Sequence, residues 1–361
     1  MVTRGIRRSP LFSICVFYIL LSSYGTSHVL SQPYIFKCLE TEQEMLLDFK
    51  QKANLMLNWS QQTDCCTWKG VGCEQFIVGQ DSISHVFNLS LPNMGLEGEI
   101  PSVLGNLVFL QYLNLSSNQF NGSLPNNLSS LQNLKTLDIS NNKLSGNVIV
   151  FKDMVSLESL DFSRNNFSGG IPSYLGLIQI EEINGSHNTM QGEFPSKSLC
   201  ENFPQLKIFD FSFNEFNGSL PNGLHLCMHL EEVHLASNKL IGSIPNDIFN
   251  ITSLSVLCLD DNNFTGKLDD SIGMNLHNLT ALLLCNNNLF GNLPTSLSQM
   301  SKLKRLVLSN NTFMGSVEFL NFSNFPSLEV LDLHLNAFSG PIPTSLQNCT
   351  SLHMLSLSKN L

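Results

Sequence analysis

Residues Leu113–Pro125 read LNLSSNQFNGSLP, and the pattern L-x-L-x-x-N-x-(L/F)-x-G-x-(L/I)-P returns until the chain stops. Aligning the glycine of each copy gives Gly98, Gly122, Gly146, Gly169, Gly192, Gly218, Gly242, Gly266, Gly291, Gly315 and Gly340, at intervals of 23 to 26 residues. A twelfth copy begins at Cys349 and breaks off after Asn360. Within the quoted copy, Leu110, Leu113 and Leu115 alternate with Tyr112, Asn114 and Ser116. Alternation with period two describes a short strand with one face inward and one outward.

Self-similarity at about 24 residues with leucines in this arrangement is the mark of a leucine-rich-repeat solenoid. The expected fold is an α/β repeat solenoid, a horseshoe or superhelix with a parallel β-sheet on its concave face. A solenoid grows by stacking copies, so the 361 residues need not divide into several globular cores. The asparagine that closes each strand recurs from Asn118 and Asn142 through Asn165, Asn188, Asn214, Asn238, Asn262, Asn287, Asn311 and Asn336 to Asn360. A primary amide donates and accepts at once, so a buried column of them can satisfy the turn backbones. These asparagines are expected to be structural. Three irregularities stand out: Met94 replaces the asparagine in the first copy, Gly185 replaces an inward leucine in the fifth, and Lys267-Leu268 and Ser316-Val317 lack the proline. Gly185 is expected to leave its layer under-filled.

The ends differ from the repeats. Residues 1–25 carry Arg4, Arg7 and Arg8, then the apolar run Leu11–Leu21, then small residues, which is the form of a secretory signal peptide. Residues 38–80 read as an amino-terminal cap, with Thr41 and Glu44 forming a capping box and Leu46, Phe49 and Ala53 on one helical face. Its four cysteines, Cys38, Cys65, Cys66 and Cys73, allow three pairings. The expected ones are Cys66–Cys73 and Cys38–Cys65, with zinc as the competing reading. Repeats fill residues 83–361. Cys200 and Cys227 are a further expected pair, Cys258 and Cys285 lie two residues out of register, and Cys349 falls on an inward position.

Charged residues make up 13% of the chain and the net charge is -10, with no run of one sign. A nucleic-acid partner is therefore not expected, since phosphate binding needs clustered Lys and Arg. No phosphate loop, HExxH or activated nucleophile occurs, and neither enzyme activity, catalytic residues, cofactor nor metal is expected. Fourteen Asn-x-Ser/Thr sequons stand at Asn58, Asn88, Asn114, Asn121, Asn127, Asn166, Asn184, Asn217, Asn250, Asn263, Asn278, Asn310, Asn321 and Asn348. Asn88, Asn114 and Asn184 sit on concave strands, and glycans there would shield the amino-terminal concave face. Repeats six to nine carry no sequon at the matching positions. That leaves an open concave strip around Ile208, Asp210, Val256, Cys258, Ala281 and Leu283, on which Phe213, Glu232, His234, Asp260 and Asp261 are the candidate ligand-binding residues.

The cap CLETEQEMLLDF…NWSQQTDCCTWKGVGC, followed by these repeats, resembles the ectodomains of plant leucine-rich-repeat receptor kinases and receptor-like proteins. The runs FDFSFNEFNGSLP, SIPNDIFNITSL, DDNNFTGKLDDSIG and VEFLNFSNFPSLEVLDLHLNAFSGPIP are most similar to phytosulfokine receptors. The resemblance implies a cell-surface receptor module that binds a small secreted peptide or protein, with a co-receptor kinase ectodomain as second partner. Membrane attachment would come from a segment absent here, as would the island insertion and kinase of such receptors. This is expected to be the amino-terminal part of a longer receptor, poorly soluble with Leu355 and Leu357 uncovered. The alternative is a secreted inhibitor of the polygalacturonase-inhibiting type.

Overall fold

A computed structural model of the chain describes residues 37–78, 81–152, 154–195, 199–220 and 223–361. The expected signal peptide lies outside the described residues. Thirteen strands form one sheet along the solenoid, and every neighbouring pair after the first is parallel. The first pair is an antiparallel hairpin, β1 (Val71–Val78) with β2 (Asp81–Ser90), and β2 passes the sheet on to the strand Tyr112–Asn114. The hairpin thus makes β1 the amino-terminal edge strand of the sheet.

The cap helix α1 runs Glu40–Lys52 and buries Leu46, Phe49 and, just past its end, Ala53. It begins before Thr41, so the expected capping box does not form; Leu39 is the cap residue and no side chain bonds there. Tertiary contacts hold that end instead. The Leu39 amide donates to the Ser84 carbonyl, and the Cys38 amide donates to Asp64 Oδ1 at 3.0 Å. Buried Glu42 accepts from the Val86 amide at 2.7 Å and pairs with His85 Nδ1 at 2.8 Å. The disulfides are Cys38–Cys65 and Cys66–Cys73, and Trp59 stacks on Trp68 at 5.1 Å beside them. Asp64 also gathers near Cys38, Cys65 and Cys66, but zinc would need thiolates, which the disulfides consume. In the repeats, Cys200 is bonded to Cys227.

Leucines and phenylalanines from every copy fill one continuous core, among them Leu110, Leu113 and Leu115, each 0–1% exposed. The asparagine ladder binds each repeat to its predecessor. Asn262 Oδ1 accepts from the Leu240 amide, while its Nδ2 donates to the carbonyls of Leu235, Leu259 and Asp260. Asn118 and Asn311 repeat the arrangement.

Three features go beyond the sequence reading. The repeat glycines form short strands of their own, a six-stranded and a five-stranded sheet joined by the bridge Ser219–Ile241. These glycines carry positive φ, as at Gly122 (72°) and Gly266 (97°), which a side chain would disfavour. The residue before each ladder asparagine is also left-handed, with φ of 52–57° from Ser117 to Lys359, including the bulky Phe213 and Leu335. The layer at Gly185 is full, contrary to expectation. A Cβ there would lie 2.5 Å from Phe162 and 2.6 Å from Phe211, because phenylalanines in the flanking repeats lean into the space.

Candidate ligand-binding face

Two columns of side chains project from the concave sheet. One runs Ile208, Glu232, Val256, Ala281, Arg305, Val330; the other runs Asp210, His234, Cys258, Leu283, Val307, Asp332. In the amino-terminal half the second column has a structural duty. Asn114 accepts from the Ser116 amide and hydroxyl at 2.9 and 2.7 Å, and Asp138 does the same with Ser140 at 3.1 and 2.7 Å. Asp161 bonds the Ser163 amide, Asn184 bonds Ser186, and Asp210 bonds the Ser212 amide. Each pair locks the turn that follows its strand. Ser116 is therefore buried at 8% exposure, not outward-facing as the alternation implied.

The Asx-x-Ser rhythm stops at repeat seven. The pairs become His234 with Ala236, Cys258 with Asp260, Leu283 with Cys285, Val307 with Ser309, and Asp332 with His334. Val256, Cys258, Val307 and Val330 are half-buried and form an apolar floor around Ala281 and Leu283, which are only 6% and 7% exposed. The sequence led us to expect an open strip here; neighbouring strands about 4.8 Å apart close it over.

The five candidate residues do not converge on one pocket. Glu232 and His234 pair with each other, Oε2 to Nε2 at 2.9 Å. Asp260 lies between the two free thiols, accepting from the Cys285 amide at 2.6 Å and from Cys258 Sγ at 3.5 Å. Burial raises its carboxyl above the usual range, partly offset by the hydrogen bonds of Cys285. Burial, then Asp260, pushes the Cys258 thiol up to about 12, and the Cys285 thiol is raised for the same reasons. Asp261 sits on the left-handed turn, bonded by Asn286 Nδ2 at 2.6 Å and Ser237 Oγ at 3.4 Å. Phe213, 49% exposed, stacks on His187 at 4.2 Å with the rings 6° from parallel. Burial, then the Arg164 charge, lowers the His187 imidazole below its ordinary range.

Sequence reasoning passed over Glu181, Glu182, Glu231 and Lys207. Lys207 Nζ bonds Glu181 Oε2 at 2.6 Å, and Glu231 and Glu182 also hold its charge in place. The signal was present in the doublets Glu181-Glu182 and Glu231-Glu232, at matching positions of repeats five and seven. Of the sequon asparagines, Asn88, Asn114, Asn127 and Asn184 are half-buried, while the other ten are exposed. Asn184 Nδ2 donates to Asp161 Oδ2 at 3.2 Å.

Family comparison agrees with this architecture. The leucine rich repeat N-terminal domain model matches residues 39–74, and the Leucine Rich Repeat model matches 109–131, 133–151, 156–177, 229–251 and 327–349. The chain is a leucine-rich-repeat protein. Among the relatives of this leucine-rich-repeat protein, Receptor-like protein 36 of Arabidopsis thaliana is 32% identical over 110 residues, 30% of this chain and 14% of that protein. Phytosulfokine receptor 1 of Arabidopsis thaliana is 31% identical over 219 residues, 61% of this chain and 19% of that protein. The crystal structure of a TDR receptor covers 73% of this chain and 45% of its own, at 33% identity and a TM-score of 0.69. The plant peptide hormone receptor RGFR1, solved with RGF2, covers 76% and 52%, at 28% identity and a TM-score of 0.63. The chain thus spans less than a fifth of the length of the curated relatives it matches.

Proposed function

We propose that this leucine-rich repeat is the extracellular recognition module of a plant cell-surface receptor, seating a small secreted peptide on the concave face of repeats seven to eleven. The observation that carries the reading is the break in the Asx-x-Ser rhythm after Asp210, where an apolar floor replaces a ladder the turns use. A sheet face with apolar side chains and a few polar groups at its border suits an extended peptide. The likeness to receptor ectodomains solved with peptide hormones supports this. So does the position of the concave sequons Asn88, Asn114 and Asn184, all in repeats one to five, where glycans would leave the later repeats open. Signalling then passes through a co-receptor ectodomain, and the chain is placed at the outer face of the plasma membrane.

The test is selection of a yeast-displayed random decapeptide library on the full secreted chain, followed by binding to a Val307→Arg variant. The expected result is a set of binders that lose at least tenfold in affinity for the variant. Binders indifferent to Val307→Arg, or none at all, would remove the concave face from consideration.

A further inference from the structure

The apolar floor meets a cluster of carboxylates on its amino-terminal side, while its carboxyl-terminal side is mixed, with Arg305 and Lys304 beside Asp332 and Glu329. On the amino-terminal side, repeats five to seven place Glu181, Glu182, Asp210, Glu231 and Glu232, with Lys207 held by Glu181, Glu231 and Glu182 and His234 bonded to Glu232. Lys207 is committed to Glu181, and Asp210 to Ser212, while Glu182 and Glu231 are exposed. On the carboxyl-terminal side, exposed Arg305 stands between Ala281 and Val330 in the first column, next to Lys304, whose Nζ lies 4.0 Å from Glu329. Between Glu232 and Arg305, the outward residues Val256, Cys258, Ala281 and Leu283 carry no charge, and Val307 and Val330 continue the apolar surface beside and beyond Arg305.

We infer that the ligand is a short extended peptide with an aliphatic segment, carrying its positive charge at the end that lies over repeats six and seven. The inference rests on the reading of the concave face as a peptide site and adds the chemistry and direction of the peptide. From the strand of Glu232 to that of Val330 is four steps of about 4.8 Å, roughly 19 Å, which about six extended residues span at ~3.3 Å each. A lysine, arginine or free amino group at the acidic border gains charge complementarity. It also avoids burying the carboxylates against an apolar peptide without a partner. An acidic or sulfated peptide would meet five carboxylates at that border, so this face selects against anionic ligands.

The decapeptide library on the full secreted chain tests this by composition. Peptides whose affinity falls with Val307→Arg are sequenced, and a lysine or arginine next to an aliphatic run is the expected motif. A Glu231→Lys, Glu232→Lys double variant, altered at an exposed and a half-buried outward position, should bind those peptides at least tenfold more weakly. It should gain at least threefold for copies in which Lys and Arg are replaced by Glu. Concave-face binders that are acidic or uncharged, or that ignore the double variant, overturn the inference while leaving the peptide site standing. Loss of all binders sensitive to Val307→Arg overturns both.

Discussion

The rings of Phe162 and Phe211 meet edge to face, their centroids 6.1 Å apart at 66°, in the space a side chain at Gly185 would fill. One repeat surrenders its inward leucine and the phenylalanines of its two neighbours supply the volume. The three positions form one packing unit spread over three repeats. Gly185→Leu, the residue the repeat pattern would predict, should therefore destabilise the protein by about 1–3 kcal/mol through overpacking. The double variant Gly185→Leu with Phe162→Leu should recover part of that loss. Thermal unfolding followed by circular dichroism checks both, and a single variant as stable as the wild type would contradict the packing account.

Asn262 Oδ1 and Nδ2 together reach four backbone groups. Asn262→Leu takes the acceptor from the Leu240 amide in a buried turn, while the Leu235, Leu259 and Asp260 carbonyls keep donors in Asn238, Asn287 and Ser237, so the cost is about 1–3 kcal/mol. Hydrogen exchange should show the Leu240 amide losing protection first. Faster exchange confined to residues outside repeats seven and eight would contradict the ladder's role.

Phe213 holds a left-handed backbone, which costs a bulky residue roughly 1–2 kcal/mol, while covering His187. Phe213→Asn should relieve the backbone and uncover the imidazole, so the His187 pKa rises toward its ordinary 6.5. In the wild type, a depressed folded pKa makes His187 contribute stability that is present above 6.5 and is lost as pH falls through that window. Histidine titration by NMR reads the change directly. An unmoved His187 would mean that burial by other groups dominates.

For Asp260 the sign runs the other way. Its folded pKa is raised, so the folded protein binds the proton more tightly and pays for the charge once pH exceeds that value. Asp260→Asn should raise Tm by roughly 1–3 °C at pH 7 and lose that advantage on acidification toward 3.8. The same variant removes a negative charge beside Cys258 and Cys285, which should then react faster with a thiol reagent at pH 8. Equal thiol rates in wild type and variant would exclude Asp260 as a cause of the raised thiol pKa.

Much of the fold was legible in the repeat itself. The inward leucines and the asparagine ladder are local patterns whose partners recur at known spacing, so period alone places them. The start of α1 was not legible, because the hydrogen bonds and disulfide that tie its amino-terminal end come from Asp64, Ser84 and Cys65, far along the chain. The candidate residues were legible as outward positions of the repeat, and their side-chain partners were not. Reading residue types gathered Phe213, Glu232, His234, Asp260 and Asp261 into one patch, whereas side-chain geometry pairs Glu232 with His234 and commits Phe213, Asp260 and Asp261 to other local partners.

By itself, the sequence determined that this is a stacked solenoid with a capped amino terminus, because a 24-residue period leaves hydrophobic faces that only stacking can bury. Tertiary structure alone decided which outward residues are left exposed and which are taken up by neighbours. That depends on side chains about 24 residues apart becoming neighbours across strands: Asp138 is spent on Ser140, Leu283 is closed in by Cys258 and Val307, and Glu231 remains exposed.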